Sequence, residues 1–426
     1  MNASSDARHS TAEPLKVDIL VIGGGLAGGT LSLALAQNGF LVATVDKEDM
    51  VGWTDRGFDG RASAIALSSQ RVLDGVGIWD VIKDEAAPIH DIRVSDGHSP
   101  LFLHYDHEEL ASGDEEAAPF GYMVENRSIR KGLNAQVPKT KGLTYFAPNE
   151  VVTLERAKDG VRAMLKDGSE IRADLVVACE GRNSPTRDAA GIKLTKWDYR
   201  QAGIVCTVDH ERPHDFCAQE HFLPSGPFAI LPLPGTAEKP ACRSSIVWTE
   251  RADLWPIMME LDDDDFTEEL ELRFGDFLGE IKVVGPRFAY PLSLQYAETY
   301  IAERLALVAD SAHGMHPIAG QGLNMGLRDV AALAEVLVEA RRLGQDIGSL
   351  AVLEKYQRWR RFDNDLMLGV TDALVKLFSN DAEPIKLARD FGMAAVHQFP
   401  DLKRFFMRHA MGTVGELPRL MRGEPL

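Results

Sequence analysis

Asp310 follows an apolar strand-like run, Leu305–Val308, and lies in the stretch LVADSAHGMHPIAGQGLNMGLRD, residues 307–329. Pro317, Gly320 and Gly322 then lead into a helix predicted to begin near Leu323. Proline stiffens such a turn, glycines let a flat ligand approach the backbone, and the helix start offers free N–H groups at a positive dipole end. Taken alone, Asp310 is a candidate catalytic acid. His313 and His316 in the same loop read as loop-shaping hydrogen bonders rather than metal ligands or catalytic bases.

A second constellation opens the chain. The apolar strand Val17–Ile22 runs into Gly23, Gly25 and Gly28 at GxGxxG spacing, and a small-residue helix continues through Ala36. The first glycine makes the tight turn, the second admits a pyrophosphate, and the third lets helix and strand pack closely. The next strand, Leu41–Val45, ends in Asp46, 18 positions after Gly28. An acid there accepts a hydrogen bond from an adenosine ribose hydroxyl and repels a 2′-phosphate. NAD and FAD both satisfy these residues.

The longer organisation favours FAD. An NAD-binding domain continues its βαβαβ pattern within roughly 150 residues. This chain leaves the pattern after Asp46 through the polar loop Asp49–Gly60. It returns only at the strand Asp174–Ala178 and the segment EGRNSPTR, 180–187, with the Asp310 loop more than a hundred residues later. Ligand-contacting segments so widely scattered imply a long ligand and a nucleotide domain interrupted by insertions. A helix start at 323 also suits the edge of a flavin, which gains negative charge on reduction.

Composition sets the outer bounds. The 426 residues are 45% hydrophobic and 26% charged, enough for a full core in two or three domains. The net charge of −18 argues against nucleic acid as a partner. Cys179, Cys206, Cys217 and Cys242 lack metal-ligand spacing and read as a reduced, intracellular set; no metal is expected. The first 14 residues read as a disordered polar tail rather than a secretory signal. No apolar run reaches the roughly 18 residues of a membrane helix. Residues 195–300 alternate like strands, notably His221–Pro234 and Cys242–Thr249, before an acidic helix, Asp262–Phe277. Within them GPFAILPLPG, 226–235, is the candidate wall of a ring pocket. From Lys376 onward eight Lys/Arg face six Asp/Glu, and Leu402–Arg408 mixes basic and aromatic side chains, as a core-packed or membrane-surface helix would.

Together these segments resemble the three fingerprints of FAD-dependent aromatic hydroxylases of the para-hydroxybenzoate hydroxylase type. DGRASAIALSSQRVL (59–73), VENRSIRKGL (124–133), HPIAGQGLNMGLRD (316–329) and YQRWRRFDN (356–364) narrow the likeness to the ubiquinone-biosynthesis hydroxylase family, over residues 15–412. The resemblance implies an α/β fold: a Rossmann-like FAD-binding domain (15–90, 120–195, 300–362) interrupted by a β-sheet substrate domain (91–119, 196–299), with a C-terminal helical segment (363–426). It implies that Gly23, Gly25, Gly28 and Asp46 hold the adenosine diphosphate half, and that Arg61 contacts the ribityl–pyrophosphate region. By the same likeness Asn126 and Arg130 flank the phosphates, Glu180 and Gly181 touch FAD and NAD(P)H, and Asp310 holds a ribityl hydroxyl. Gly320, Gly322, Leu323 and Asn324 line the isoalloxazine. Two positions depart from the family pattern, Glu180 for Asp and Ala309 for Gly; a negative φ at 309 is expected to suffice for alanine.

The implied activity is hydroxylation of a polyprenylated phenol or quinol with NAD(P)H and O₂ through a flavin C4a-hydroperoxide. The catalysis is centred on the flavin, and no side-chain base is identified. The alternatives are a monooxygenase of a small soluble aromatic and a catalytically silent flavoprotein scaffold. Other ubiquinone-biosynthesis proteins and the inner membrane surface are the implied neighbours of a cytoplasmic chain. Arg328 and Asp329 read as a packing ion pair, and YQRWRRFDN as a brace between helices.

Overall fold

The computed structural model describes residues 13–49, 60–97, 102–111, 117–315, 320–378 and 398–426. Most of the N-terminal tail, the polar loop up to residue 59, and His316 and Pro317 lie outside the described residues, as does the tail segment 379–397.

Four short apolar runs set the centre. Leu305–Leu307, Leu175–Ala178, Ile19–Ile22 and Val42–Val45 lie side by side in parallel, each buried along its whole length. Leu143–Phe146 extends one edge in parallel, and Ile301–Ala302 closes the other antiparallel. Strands covered on both faces read as continuous hydrophobic runs, as these do. The Leu26–Gln37 and Gly322–Arg342 helices pack together over this sheet. A smaller sheet with the order Leu15–Lys16, Glu170–Ala173, Gly160–Leu165, Val151–Ala157 lies against it.

An eight-stranded sheet supplies the second layer system. It gathers Asp91–Asp96 and Phe102–Asp106 from early in the chain with the long strands Leu194–His210, Pro240–Arg251 and Ile281–Ala297. The run read as one strand, His221–Pro234, is divided: Pro224 and Ser225 turn the chain between Cys217–Leu223 and Gly226–Gly235, which pair antiparallel. The turn lies within a largely apolar run, so hydrophobic alternation conceals it. Alternation along the second strand splits the GPFAILPLPG run. Phe228 and Ile230 face an outer core with Trp248, Phe266, Leu270 and Phe274, whereas Leu231 and Leu233 face the inner cluster with Met407 and Met411. Only half of that run can border a ring pocket.

The acidic helix starts at Asp263, one residue later than expected, because Asp262 is its cap and accepts the Asp265 N–H at 2.9 Å. The chain ends in the Leu350–Phe378, Pro400–Ala410 and Arg419–Arg422 helices.

Candidate functional site

The glycine loop is shaped by contacts that exclude side chains. Gly23 has φ +96°, and a Cβ there would lie 2.3 Å from the Cys179 carbonyl oxygen. A Cβ on Gly28 would lie 1.9 Å from the Gly23 carbonyl oxygen. Gly25 differs: a Cβ there would meet nothing within 4 Å, because the residue faces an open cleft. It also starts the Leu26–Gln37 helix without a side-chain cap, so the first N–H groups remain for a ligand. Asp46 accepts the Gly24 N–H at 2.5 Å and the Glu48 N–H at 2.8 Å, one on each carboxylate oxygen. Each oxygen keeps acceptor capacity toward a hydroxyl. Gly25, Asp46 and Arg130 line one cleft with Gly24, Glu48, Leu133 and Asn134.

Two further loops leave the same edge of the central sheet. After Leu175–Ala178 comes Glu180, whose carboxylate accepts Ser184 Oγ at 2.7 Å and the Thr186 N–H at 3.2 Å. The longer acid therefore folds back onto its own loop, capping the Pro185–Ala189 turn of helix rather than reaching outward. Gly181 has φ +79° and is open on its Cβ side. After Leu305–Leu307 comes Asp310, which is exposed. Crowding by the surrounding elements pushes its carboxyl up from the ordinary aspartate range, against the pull of Arg182 and His313. Water at its exposed side weakens that push.

The remaining expected residues meet at the strand Ala62–Ala66. Arg61 precedes it, and its carbonyl accepts the Asn126 N–H at 2.9 Å, while Asn126 Oδ1 accepts Ser63 Oγ at 2.7 Å. Asn324 donates from Nδ2 to the Ala64 carbonyl at 2.8 Å and accepts the Ala66 N–H at 2.9 Å. Its amide thus faces the scaffold. Gly320 has φ +64° and approaches Ala64, Gly322 has open space, and Leu323 packs on the main core.

Two expectations are corrected. Ala309 adopts φ +54°, not a negative value, so the departure from glycine places an alanine in a left-handed turn. Gly326 makes room opposite, where a Cβ would come 2.8 Å from that of Ala309. Arg328 and Asp329 do not pair, because adjacent helical residues point in different directions. Arg328 reaches Asp363 and the carbonyls of Gly412 and Val414. Asp329 takes Arg360 Nε at 2.8 Å, His313 Nε2 at 2.6 Å and the Ala309 N–H at 3.1 Å. Burial opposes its charge, but His313 and Arg360 prevail and hold its carboxyl at about 2. The YQRWRRFDN segment braces the Leu350–Phe378 and Gly322–Arg342 helices through Arg360 and Asp329, and it also reaches beyond helices: Tyr356 donates to the Leu307 carbonyl of a strand and Trp359 to that of Glu416.

Arg182 and Arg187 were not singled out from sequence. Arg182 donates to the Ser293 carbonyl and hydroxyl and to the Met315 carbonyl, while buried Arg187 donates to the carbonyls of Arg182 and Ser311. They tie the 180–187 loop to the Asp310 turn. Their only local signal is two arginines in a short loop with a Ser-Pro helix start. Among the described residues, no group of His, Cys, Asp and Glu is arranged to hold a metal ion, and no helix is long and apolar enough to cross a membrane.

Comparison with known proteins gives one consistent result. Residues 16–362 match the family model of the FAD binding domain. The chain is 55% identical to the ubiquinone hydroxylase UbiL of Rhodospirillum rubrum over 96% of its own length and 93% of that protein's. It is 33% identical to the 3-demethoxyubiquinol 3-hydroxylase of Escherichia coli over 93% of its own length and 98% of that protein's. The crystal structure of p-nitrophenol 4-monooxygenase PnpA from Pseudomonas putida superimposes with a TM-score of 0.76 at 18% identity, covering 95% of this chain and 100% of that one. That last likeness is one of fold alone.

Proposed function

Because this chain belongs to the FAD-binding-domain family, and within it to the ubiquinone hydroxylases it matches over nearly its whole length, we propose that it hydroxylates the aromatic ring of a polyprenylated phenol or quinol in ubiquinone biosynthesis. NAD(P)H is the reductant and O₂ the oxidant: one oxygen atom enters the ring and the other leaves as water. The observation that carries this reading is the row of loops at one edge of the central sheet. Neighbouring parallel strands end in Asp310, in Glu180–Gly181, in the Gly23–Gly28 turn and in Asp46. A ligand crossing the carboxyl ends of that many strands is long, and such crevices are where α/β sheets bind dinucleotides.

The residues fit FAD. The glycine turn that side chains would fill, the uncapped helix start at Gly25 and the acid at Asp46 suit an adenosine diphosphate without a 2′-phosphate. In this reading Arg61, Asn126 and Arg130 flank the phosphates and Asp310 accepts a ribityl hydroxyl. Gly320, Gly322 and Leu323 border the ring system, and Asn324 holds that border to the Ala62–Ala66 strand. Bound FAD supplies the electron transfer and oxygen activation. Residues 15–90, 120–195 and 300–362 hold it, and 91–119 with 196–299 cover the substrate side, where Leu231 and Leu233 help keep the pocket dry.

The prenylated substrate also gives the Pro400–Ala410 helix a role as a peripheral contact with the membrane surface. Phe399, Leu402, Phe405 and Phe406 are exposed there beside Lys403, Arg404 and Arg408, while Met407 anchors the other side to the core.

The test is oxidation of NADH or NADPH by the purified flavoprotein with and without a polyprenylated phenol, followed by product mass. Substrate-stimulated oxidation with a product heavier by one oxygen is expected. Reduction of the flavin with no oxygen gained by any prenylated phenol would sink the reading.

A further inference from the structure

The turn that carries Asp310 is held at both ends by one buried carboxylate on another element. Ala309 opens the turn in the left-handed region at φ +54°, a conformation that alanine leaves readily unless something fixes it. Its N–H donates to Asp329 Oδ2 at 3.1 Å. Four residues on, His313 Nε2 lies 2.6 Å from the same oxygen. An ionised carboxylate only accepts, so the contact assigns the imidazole proton to Nε2. Between the two fixed ends Asp310 is exposed, at the carboxyl end of the Leu305–Leu307 strand.

The clamp is itself braced. Asp329 Oδ1 accepts Arg360 Nε at 2.8 Å and Asn364 Nδ2 at 3.4 Å. Arg360 continues to Asp363 at 2.8 Å and to Asn364 Oδ1 at 2.5 Å. Asp329, Arg360, Asn364 and His313 are each almost wholly buried. A buried network satisfied to this degree specifies one geometry, because every alternative leaves a charged or polar group without a partner. Through Asp329 these buried side chains act on the turn.

We propose that Asp329 is a positioning residue for the cofactor, holding the Ala309–His313 turn so that Asp310 meets the ribityl chain of FAD. This rests on the reading of Asp310 as the ribityl anchor. It adds that the geometry of the anchor is set from the Gly322–Arg342 helix and braced from the Leu350–Phe378 helix. Asn at 329 cannot reproduce the clamp. One of its two termini would present a donor to donors, either to Arg360 or to the Ala309–His313 pair.

The experiment is a double-mutant cycle read by FAD titration of the apoprotein and by the visible absorbance and circular dichroism of the bound flavin. Asp329→Asn is expected to weaken FAD binding about tenfold or more and to shift the flavin bands. In an Asp310→Asn background the same change is expected to weaken binding less than about twofold, because its effect passes through Asp310. Equal losses in both backgrounds would show a purely structural role and overturn the proposal, as would an unchanged affinity in Asp329→Asn. An Asp310→Asn protein that binds FAD like the parent would remove the ribityl reading as well, so the two failures are distinguishable. If Asp329→Asn does not fold, His313→Leu and His313→Gln decide. Leu removes one arm of the clamp and should weaken FAD about fivefold, and Gln, which keeps a donor, should recover most of that loss. Equal affinities for these two variants would overturn the proposal.

Discussion

Asn324 accepts the Ala66 N–H on its side-chain oxygen at 2.9 Å, fastening the start of the Gly322–Arg342 helix to a strand 258 residues earlier. The same amide donates to the Ala64 carbonyl, so one side chain completes two backbone groups of the Ala62–Ala66 strand. Asn324→Ala would leave both without that partner and is expected to cost about 2–4 kcal/mol. Thermal unfolding of the apoprotein checks this. A melting temperature equal to the parent's would mean that water takes over both bonds.

Gly25 and Gly28 make opposite predictions from one motif. A Cβ on Gly25 meets no protein atom, so Gly25→Ala should leave the apoprotein's unfolding temperature nearly unchanged while weakening FAD about tenfold or more. Gly28→Ala drives a Cβ into the Gly23 carbonyl and should destabilise the protein with or without cofactor. Parallel melting and FAD titrations of both variants separate the cases. A Gly25→Ala protein that binds FAD normally would refute the role given to Gly25.

Asp46 accepts two backbone N–H groups while retaining capacity for a ribose hydroxyl. Asp46→Ala should therefore lose about 1.5–3 kcal/mol of FAD binding, tenfold or more in Kd. Fluorescence quenching during FAD titration measures it, and a loss under twofold would argue that the ribose lies elsewhere.

Asp329 predicts an acid limb. Its folded carboxyl sits at about 2, below the ordinary 3.8. The folded state therefore favours the ionised form, and the stability this contributes, about 2 kcal/mol, is fully present above roughly pH 4. It is lost as pH falls through 4 toward 2. Denaturant unfolding from pH 5 to pH 2 should show a steeper decline for the parent than for Asp329→Asn. Parallel declines would contradict the assignment.

For the membrane reading, truncation is the wrong tool, because Leu417, Leu420 and Met421 beyond the Pro400–Ala410 helix are part of the main core. Replacing exposed Phe405 and Phe406 with serine leaves that core intact. It should lower flotation with phosphatidylethanolamine–phosphatidylglycerol vesicles about tenfold if both rings enter the interface. Undiminished flotation would exclude this helix as the contact.

The glycine loop and Asp46 were legible because their partners are close in sequence. One strand, one turn, one helix and the next strand bring Gly24 and Asp46 together across 22 positions. The central strands were legible because burial on both faces leaves unbroken apolar runs. Asp329 was misread because its partners are 16 and 31 positions away on separate elements, and helical spacing offered only its neighbour Arg328. The left-handed Ala309 was hidden for another reason. Alanine carries no preference for that region, so only the packing against Gly326 and the bond to Asp329 reveal it. Glu180 turned inward for a like cause, its extra methylene finding Ser184 and Thr186 of its own loop.

His313 and Gly314 also pair as a short strand with Tyr296 and Gln295, at the edge of the eight-stranded sheet. The Asp310 turn thus works as a rivet through both layers. A hinge that swung the covering sheet away from the nucleotide sheet would have to shear that ladder and tilt Asp310 with it. A bulky substrate must then enter while the two layers stay fastened, and the cofactor's seat keeps its shape during loading.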